Sequence, residues 1–198
     1  RAHLGGGLAT RGTFAFDAFI RASGSSSGRD PQIGSIGGGN HFVEIQAVAD
    51  LLDGPTAHAW GVGREQVAIM VHTGSVGLGH LVGGHFDELA RGLFPATLPA
   101  PAGGFYPLPT TGPLAAHAAA YLDAMGNAAN FAFGNRLFLG LMALRALRET
   151  VGRPIGSRLV HDAPHNLIWA QGGDRFLHRK GATPALGLDP LGGPFAYT

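Results

Sequence analysis

The spacing of hydrophobic and polar positions changes several times along the chain, and the changes predict a mixed α+β protein. From Thr10 to Ala22 apolar residues recur at helical spacing, and the run ends in Ser23-Gly24-Ser25-Ser26-Ser27-Gly28, whose composition predicts a flexible loop. Two short β-rich runs follow, Phe42 to Val48 and Gln66 to His72. Each meets a glycine-rich turn at the end that bears a histidine. A helix is predicted from His80 to Gly92, then a loop punctuated by proline and glycine from Leu93 to Pro113. Pro113 opens a long helical stretch to about Val151, with Leu114, Tyr121, Leu122, Met125, Phe131, Leu137, Leu141 and Leu144 as its apolar stripe. Gly126 or Gly134 is where that helix would kink or split. Arg158 to His161 and Arg175 to His178 predict two further strands flanking a Pro-His-Asn turn.

A length of 198 residues, with 45% hydrophobic and 14% charged residues, supports one domain with a sizeable core, read here as residues 1–198. No internal repeat or linker divides it. The chain opens at Arg1 and closes just after a loop-like Gly-Gly-Pro, so an internal piece of something longer is expected, incomplete at both ends. A net charge of +1 excludes a broad electrostatic footprint for nucleic acid, so any RNA must be held locally. The chain has no cysteine, which removes disulfides and thiolate ligands and agrees with a reducing, cytoplasmic setting. Its longest apolar run, Phe138 to Leu144, is too short to span a bilayer, so no membrane partner is expected.

Four histidine-bearing stretches carry the chemistry. In Gly37-Gly38-Gly39-Asn40-His41-Phe42-Val43-Glu44, consecutive backbone amides can close on a phosphate. Asn40 can donate to a phosphate oxygen, and His41 offers a neutral imidazole to a metal. In a regular strand from residue 41, Asn40, Phe42 and Glu44 share one face and His41 the other, which assigns Glu44 to a neighbouring pocket or a salt bridge. His72 stands at the mouth of an apolar strand before Thr73-Gly74-Ser75-Val76-Gly77-Leu78-Gly79. His165 follows a proline in Asp162-Ala163-Pro164-His165-Asn166, where Asp162 could orient it. His80 and His85 are set aside because their intervals after His72 match no standard zinc spacing, and His3, His58 and His117 are left out likewise.

The fourth stretch is His178-Arg179-Lys180-Gly181-Ala182-Thr183, and Lys180 is the only lysine in the chain. Two cations beside an imidazole resist a second positive charge and keep the ring neutral, as a nucleophile or metal ligand requires. The same cations could neutralise a triphosphate. The residues by themselves rank phosphoryl or nucleotidyl transfer above metal-dependent hydrolysis.

Taken in order, these four motifs resemble the RtcB family of RNA ligases, and the resemblance extends to Ala124-Met125, Asn130-Phe131-Ala132 and Asn135-Arg136 in the predicted long helix. It implies an enzyme that uses GTP and Mn2+ to join an RNA 3′-phosphate or 2′,3′-cyclic phosphate end to a 5′-hydroxyl end. His178 then corresponds to the histidine that attacks the α-phosphorus of GTP. The guanylyl group passes to the RNA 3′-phosphate before the 5′-hydroxyl displaces it. His41, His72 and His165 correspond to metal ligands. Asn40 matches a nucleotide-contacting asparagine; Glu44, Asn166, Arg179, Lys180 and Gly181 complete the expected cofactor site.

The chain departs from the family pattern in two ways. The Asp-x-x-Cys-Gly metal motif and the glycine- and serine-rich C-terminal segment are absent, which the expected truncation explains. Thr73 stands in place of serine and Val76 in place of arginine, from which a divergent member is expected, of a branch associated with RNA repair and not with tRNA splicing. Loss of a charge-assisted arginine contact to phosphate is worth roughly 1–3 kcal/mol. Two alternatives stand beside the ligase: a metal-dependent phosphoesterase that needs no nucleotide, and a non-catalytic binder of RNA ends.

Overall fold

A helix of 37 residues forms the spine of the computed structural model, which describes residues 8–24 and 30–183. In chain order the elements are α1 (Phe16–Ala22), β1 (Phe42–Ala47), α2 (Gly54–Trp60), β2 (Val67–His72), α3 (Gly77–Leu93), α4 (Ala115–Val151), β3 (Ile168–Ala170) and β4 (Phe176–His178). A 3-10 turn lies at Asp30–Gln32. β1 pairs with β2 and β3 with β4, both antiparallel, in two separate sheets. The architecture is mixed α+β. Residues 25–28 of the expected flexible loop, and His3, lie outside the described residues.

The core forms where α3 crosses α4. Leu78, Val82, Phe86 and Ala90 recur every fourth residue along α3 and are buried. Phe16 of α1 joins them with Ala124 and Ala128 of α4, and Phe14, Phe19 and Tyr121 pack around the cluster. Full burial of a side chain such as Leu78 contributes about 1.5–3 kcal/mol.

The apolar stripe expected on α4 is buried only in part. Of its members Leu144 is buried, Leu114, Tyr121, Leu122, Met125 and Phe131 are half-buried, with Tyr121 and Phe131 packed on the core, and Leu137 and Leu141 are exposed. The buried positions are Ala118, Asp123, Ala124, Gly126, Ala128, Ala129, Ala132, Asn135, Leu139 and Leu144. Small and polar side chains let irregular chain segments approach and be caught by hydrogen bonds. Asp123 accepts from the backbone N–H of Arg11 at 2.6 Å and of Phe14 at 3.1 Å. Asn130 exchanges bonds with the N–H and carbonyl of Leu8 at 2.6 and 2.8 Å. Gly126 does not split α4; it faces Leu8 and Thr10 of the N-terminal segment, and a Cβ there would touch Thr10 Cγ2 at 3.4 Å, close to ordinary contact.

One of these bonds bears on why the expected helix from Thr10 begins only at Phe16: the Asp123 carboxylate takes the Phe14 N–H, which a longer helix would give to the carbonyl of residue 10. Helix α2 was not foreseen. Asp53 caps it, accepting from Thr56 N at 3.1 Å and Thr56 Oγ1 at 2.7 Å, and Pro55 occupies its first turn. The backbone bond, then the hydroxyl bond, holds the Asp53 carboxyl below its ordinary value. Arg158 to His161 is not a strand; the partner of β4 is Ile168–Ala170, on the far side of the Pro-His-Asn turn.

Candidate active site

Antiparallel pairing brings the first two motifs together. Phe42 at the start of β1 stands opposite His72 at the end of β2, so the strand ends that bear histidine coincide. β1 begins at Phe42, and the strand alternation therefore does not extend to His41. The ring of His41 is set instead by the glycine turn, its Nδ1 lying 2.7 Å from the Gly38 carbonyl oxygen. Since a carbonyl only accepts, Nδ1 carries the hydrogen and the neutral ring keeps its lone pair on Nε2.

The other two motifs meet through backbone bonds. The N–H of Ala182 donates to the carbonyl of His165 at 3.1 Å, and that of Arg179 to Leu167 at 3.0 Å. The N–H of Gly181, at φ +67°, donates to Asn166 Oδ1 at 2.7 Å. The result is a continuous wall. Asn40, His41, His72, His165, Asn166, Lys180 and Gly181 line a pocket of about 440 Å³, within the size range of small-molecule sites.

Within it the imidazoles form a row. Ring centres of His41 and His72 lie 5.6 Å apart and those of His72 and His165 5.1 Å apart, while the Phe42 ring stands edge-on to His72 at 5.2 Å. Two imidazoles sharing one ion through nitrogens about 2 Å from it keep their centres roughly 5 Å apart. His165 is held below its ordinary value of 6.5, first by partial burial and then by the charges of His72, Arg136, Lys180 and His41. That favours the neutral ring a metal needs. These rings suit the nitrogen share of a divalent-metal shell, not a whole one: among the described residues no group of three or more His, Cys, Asp or Glu is arranged to hold an ion. Oxygen ligands would have to complete the set.

The remaining expected site residues stand elsewhere. Glu44 is exposed on the His72 face of the hairpin, and its Oε2 accepts from Gln46 Nε2 at 2.9 Å. His178 is exposed at the end of β4, paired with Ile168, and with Arg179 lies outside the pocket wall. Asp162 was expected to orient His165; its carboxylate instead accepts from Arg136 Nε at 2.6 Å. His85 packs its ring 4.9 Å from both Phe19 and Phe86, away from the row.

Sequence reasoning did not assign Asn135 and Arg136 to the site. Both reach the loops around the histidines from α4. A consecutive amide and guanidinium inside a helix otherwise rich in alanine was the available signal, but their partners are distant in sequence.

Comparison with known proteins now decides the family. A family model described as tRNA-splicing ligase RtcB matches residues 10–197. The chain belongs to the RtcB family. It is 35% identical over 167 residues to the tRNA-splicing ligase RtcB of Pyrococcus horikoshii, covering 78% of this chain and 19% of that protein. It is 36% identical over 163 residues to the RNA-splicing ligase RtcB of Mycobacterium tuberculosis, covering 78% of this chain and 37% of the relative. With the tRNA-splicing ligase RtcB of Nanoarchaeum equitans it shares 32% over 183 residues, 87% of this chain and 37% of that protein. The chain thus spans well under half the length of these relatives. The RtcB match includes all four histidine motifs and the Asn135-Arg136 pair. Among the described residues no helix is long and apolar enough to cross a membrane.

Proposed function

We propose that this protein is a GTP- and Mn2+-dependent RNA ligase, joining RNA 3′-phosphate or 2′,3′-cyclic phosphate ends to 5′-hydroxyl ends in cytoplasmic tRNA splicing or RNA repair. One observation carries the reading: the seven residues of the pocket wall come from all four motifs by which the sequence resembles RtcB.

His41, His72 and His165 would hold Mn2+, which when bound neutralises the anions that must approach one another. Asn166 has its carbonyl oxygen engaged by Gly181 N–H, which turns its amide hydrogens to a phosphate oxygen. Asn40 donates to a phosphate oxygen, Lys180 supplies a point charge to the triphosphate, and Arg179 and Glu44, which stand outside the pocket wall, would contact the nucleotide only where it extends beyond that wall. His178, two residues before Lys180, attacks the α-phosphorus of GTP. A P–N bond forms, and pyrophosphate leaves with the electron pair of the broken P–O bond. A 2′,3′-cyclic end first adds water, which breaks its P–O2′ bond to leave a 3′-phosphate and a 2′-hydroxyl, and an oxygen of the RNA 3′-phosphate then displaces the imidazole. The 5′-hydroxyl finally attacks the activated 3′-phosphate, releasing GMP and giving up its proton.

The position of His178 outside the pocket wall favours one second reading, a metal-dependent phosphoesterase built from the same imidazoles. RNA joining by the full-length protein separates the two. The ligase reading expects joined product only with both GTP and Mn2+; phosphate released from the RNA end without GTP, and no joining, would replace it with the phosphoesterase.

A further inference from the structure

We propose that Asn135 and Arg136 form a positioning dyad that sets the relative placement of the three histidine-bearing arms of the pocket. The inference goes beyond the ligase reading and rests on it only where Mn2+ serves as a probe.

Asn135 is fully buried, and its side-chain amide holds two segments at once. Its Oδ1 accepts from Gly34 N–H at 2.7 Å, while Nδ2 donates to the carbonyls of Ser35 at 2.9 Å and Gly74 at 3.0 Å. Arg136 extends the grip to a third. Its Nε donates to Asp162 Oδ1 at 2.6 Å and its Nη1 to the Thr73 carbonyl at 3.2 Å, with the guanidinium 4.8 Å from the centre of the Phe133 ring. The segments held are those that matter for the row of imidazoles. Gly34 and Ser35 lead into the turn of His41, Thr73 and Gly74 directly follow His72, and Asp162 lies three residues before His165.

The energetics favour geometry over stability as the reason for the dyad. The Arg136–Asp162 pair is largely withdrawn from solvent, with side chains 12% and 13% exposed, and desolvation offsets much of the attraction in such a pair. Among the described residues Arg136 Nη2 is buried without a hydrogen-bond partner, a further cost. The gain is directional: a planar guanidinium serves a carboxylate and a carbonyl together at fixed angles, which a lysine ammonium does not reproduce. Because Asn135 and Arg136 are consecutive on a rigid helix, a shift of any one arm must strain the others.

The test uses the full-length protein with Asn135→Ala, Arg136→Met, Arg136→Lys and Asp162→Asn, beside Leu139→Ala as a control buried in the same helix. Two quantities are measured: Mn2+ affinity, and the imidazole 15N resonances of His41, His72 and His165 without metal. Loss of such orienting contacts typically weakens metal binding about 10- to 100-fold. The dyad variants should weaken Mn2+ binding by at least about ten-fold and move all three sets of ring signals. Leu139→Ala should lower the melting temperature and change neither. Arg136→Lys and Asp162→Asn, which keep a polar group in place, should fold and fall between. Dyad variants with unmoved ring signals, or a Leu139→Ala protein that loses as much, would overturn the proposal. Should the parent protein bind no Mn2+, the metal assignment fails, and the ring signals alone still decide the dyad.

Discussion

A Cβ placed on Gly37 would stand 2.8 Å from Nδ1 of His41, the same nitrogen that the Gly38 carbonyl engages. Gly37 also has φ +73°, a conformation that costs an ordinary residue about 1–2 kcal/mol. Gly37→Ala is therefore expected to displace the imidazole as well as strain the turn. Gly38, whose Cβ would meet nothing within 4 Å, is the matched control. Isothermal titration with Mn2+ should show weaker binding for Gly37→Ala and parental binding for Gly38→Ala; equal affinities would remove the glycine from the account of His41.

Val76 sits at φ +50°, ψ −133° between Ser75 and α3, where Leu78 N–H donates to the Ser75 carbonyl at 3.1 Å. A β-branched residue at positive φ is strained, and a turn of this kind favours glycine. Val76→Gly should raise unfolding stability by about 1 kcal/mol in denaturant titration. Val76→Arg keeps the strain and should bring no such gain, but should tighten binding of an RNA 3′-phosphate end if the arginine of the RtcB pattern contacts phosphate. Unchanged affinity would count against that role.

Asp123 binds two backbone amides from a segment more than a hundred residues away in sequence. Asp123→Ala leaves the Arg11 and Phe14 N–H groups without an acceptor, a loss of roughly 2–4 kcal/mol. Asp123→Asn, which keeps one acceptor oxygen, should lose less. Denaturant unfolding checks the order; an Asp123→Ala protein as stable as the parent would mean that the N-terminal segment is held by its aromatic packing and the Asn130–Leu8 bonds without help from the carboxylate.

The parts of this protein legible in its sequence are those governed by near neighbours. β1 and β2 follow from alternation and their glycine turns, and α3 from an apolar period that Gly83 and Gly84 do not break. The gathering of Asn40, His41, His72, His165, Asn166 and Lys180 followed from motif resemblance, not from periodicity. What α4 buries was misread in part because its partners are backbone segments caught by Asp123, Asn130 and Asn135, and small residues facing them carry no hydrophobic signal. Arg158 to His161 has β-compatible residues, yet a strand exists only where a second segment pairs with it. Asp53-Gly54-Pro55 carries the cap and proline signals of α2, but a helix of 7 residues is too short for an apolar period to mark it.

The central claim is covalent nucleotidyl transfer through His178, and intact-protein mass after incubation with Mn2+ and GTP tests it most directly. The full-length protein should gain the mass of one GMP in an acid-labile linkage, and its His178→Ala variant should gain none. No adduct on a protein shown to bind both Mn2+ and GTP, or an adduct that survives His178→Ala, would contradict the account.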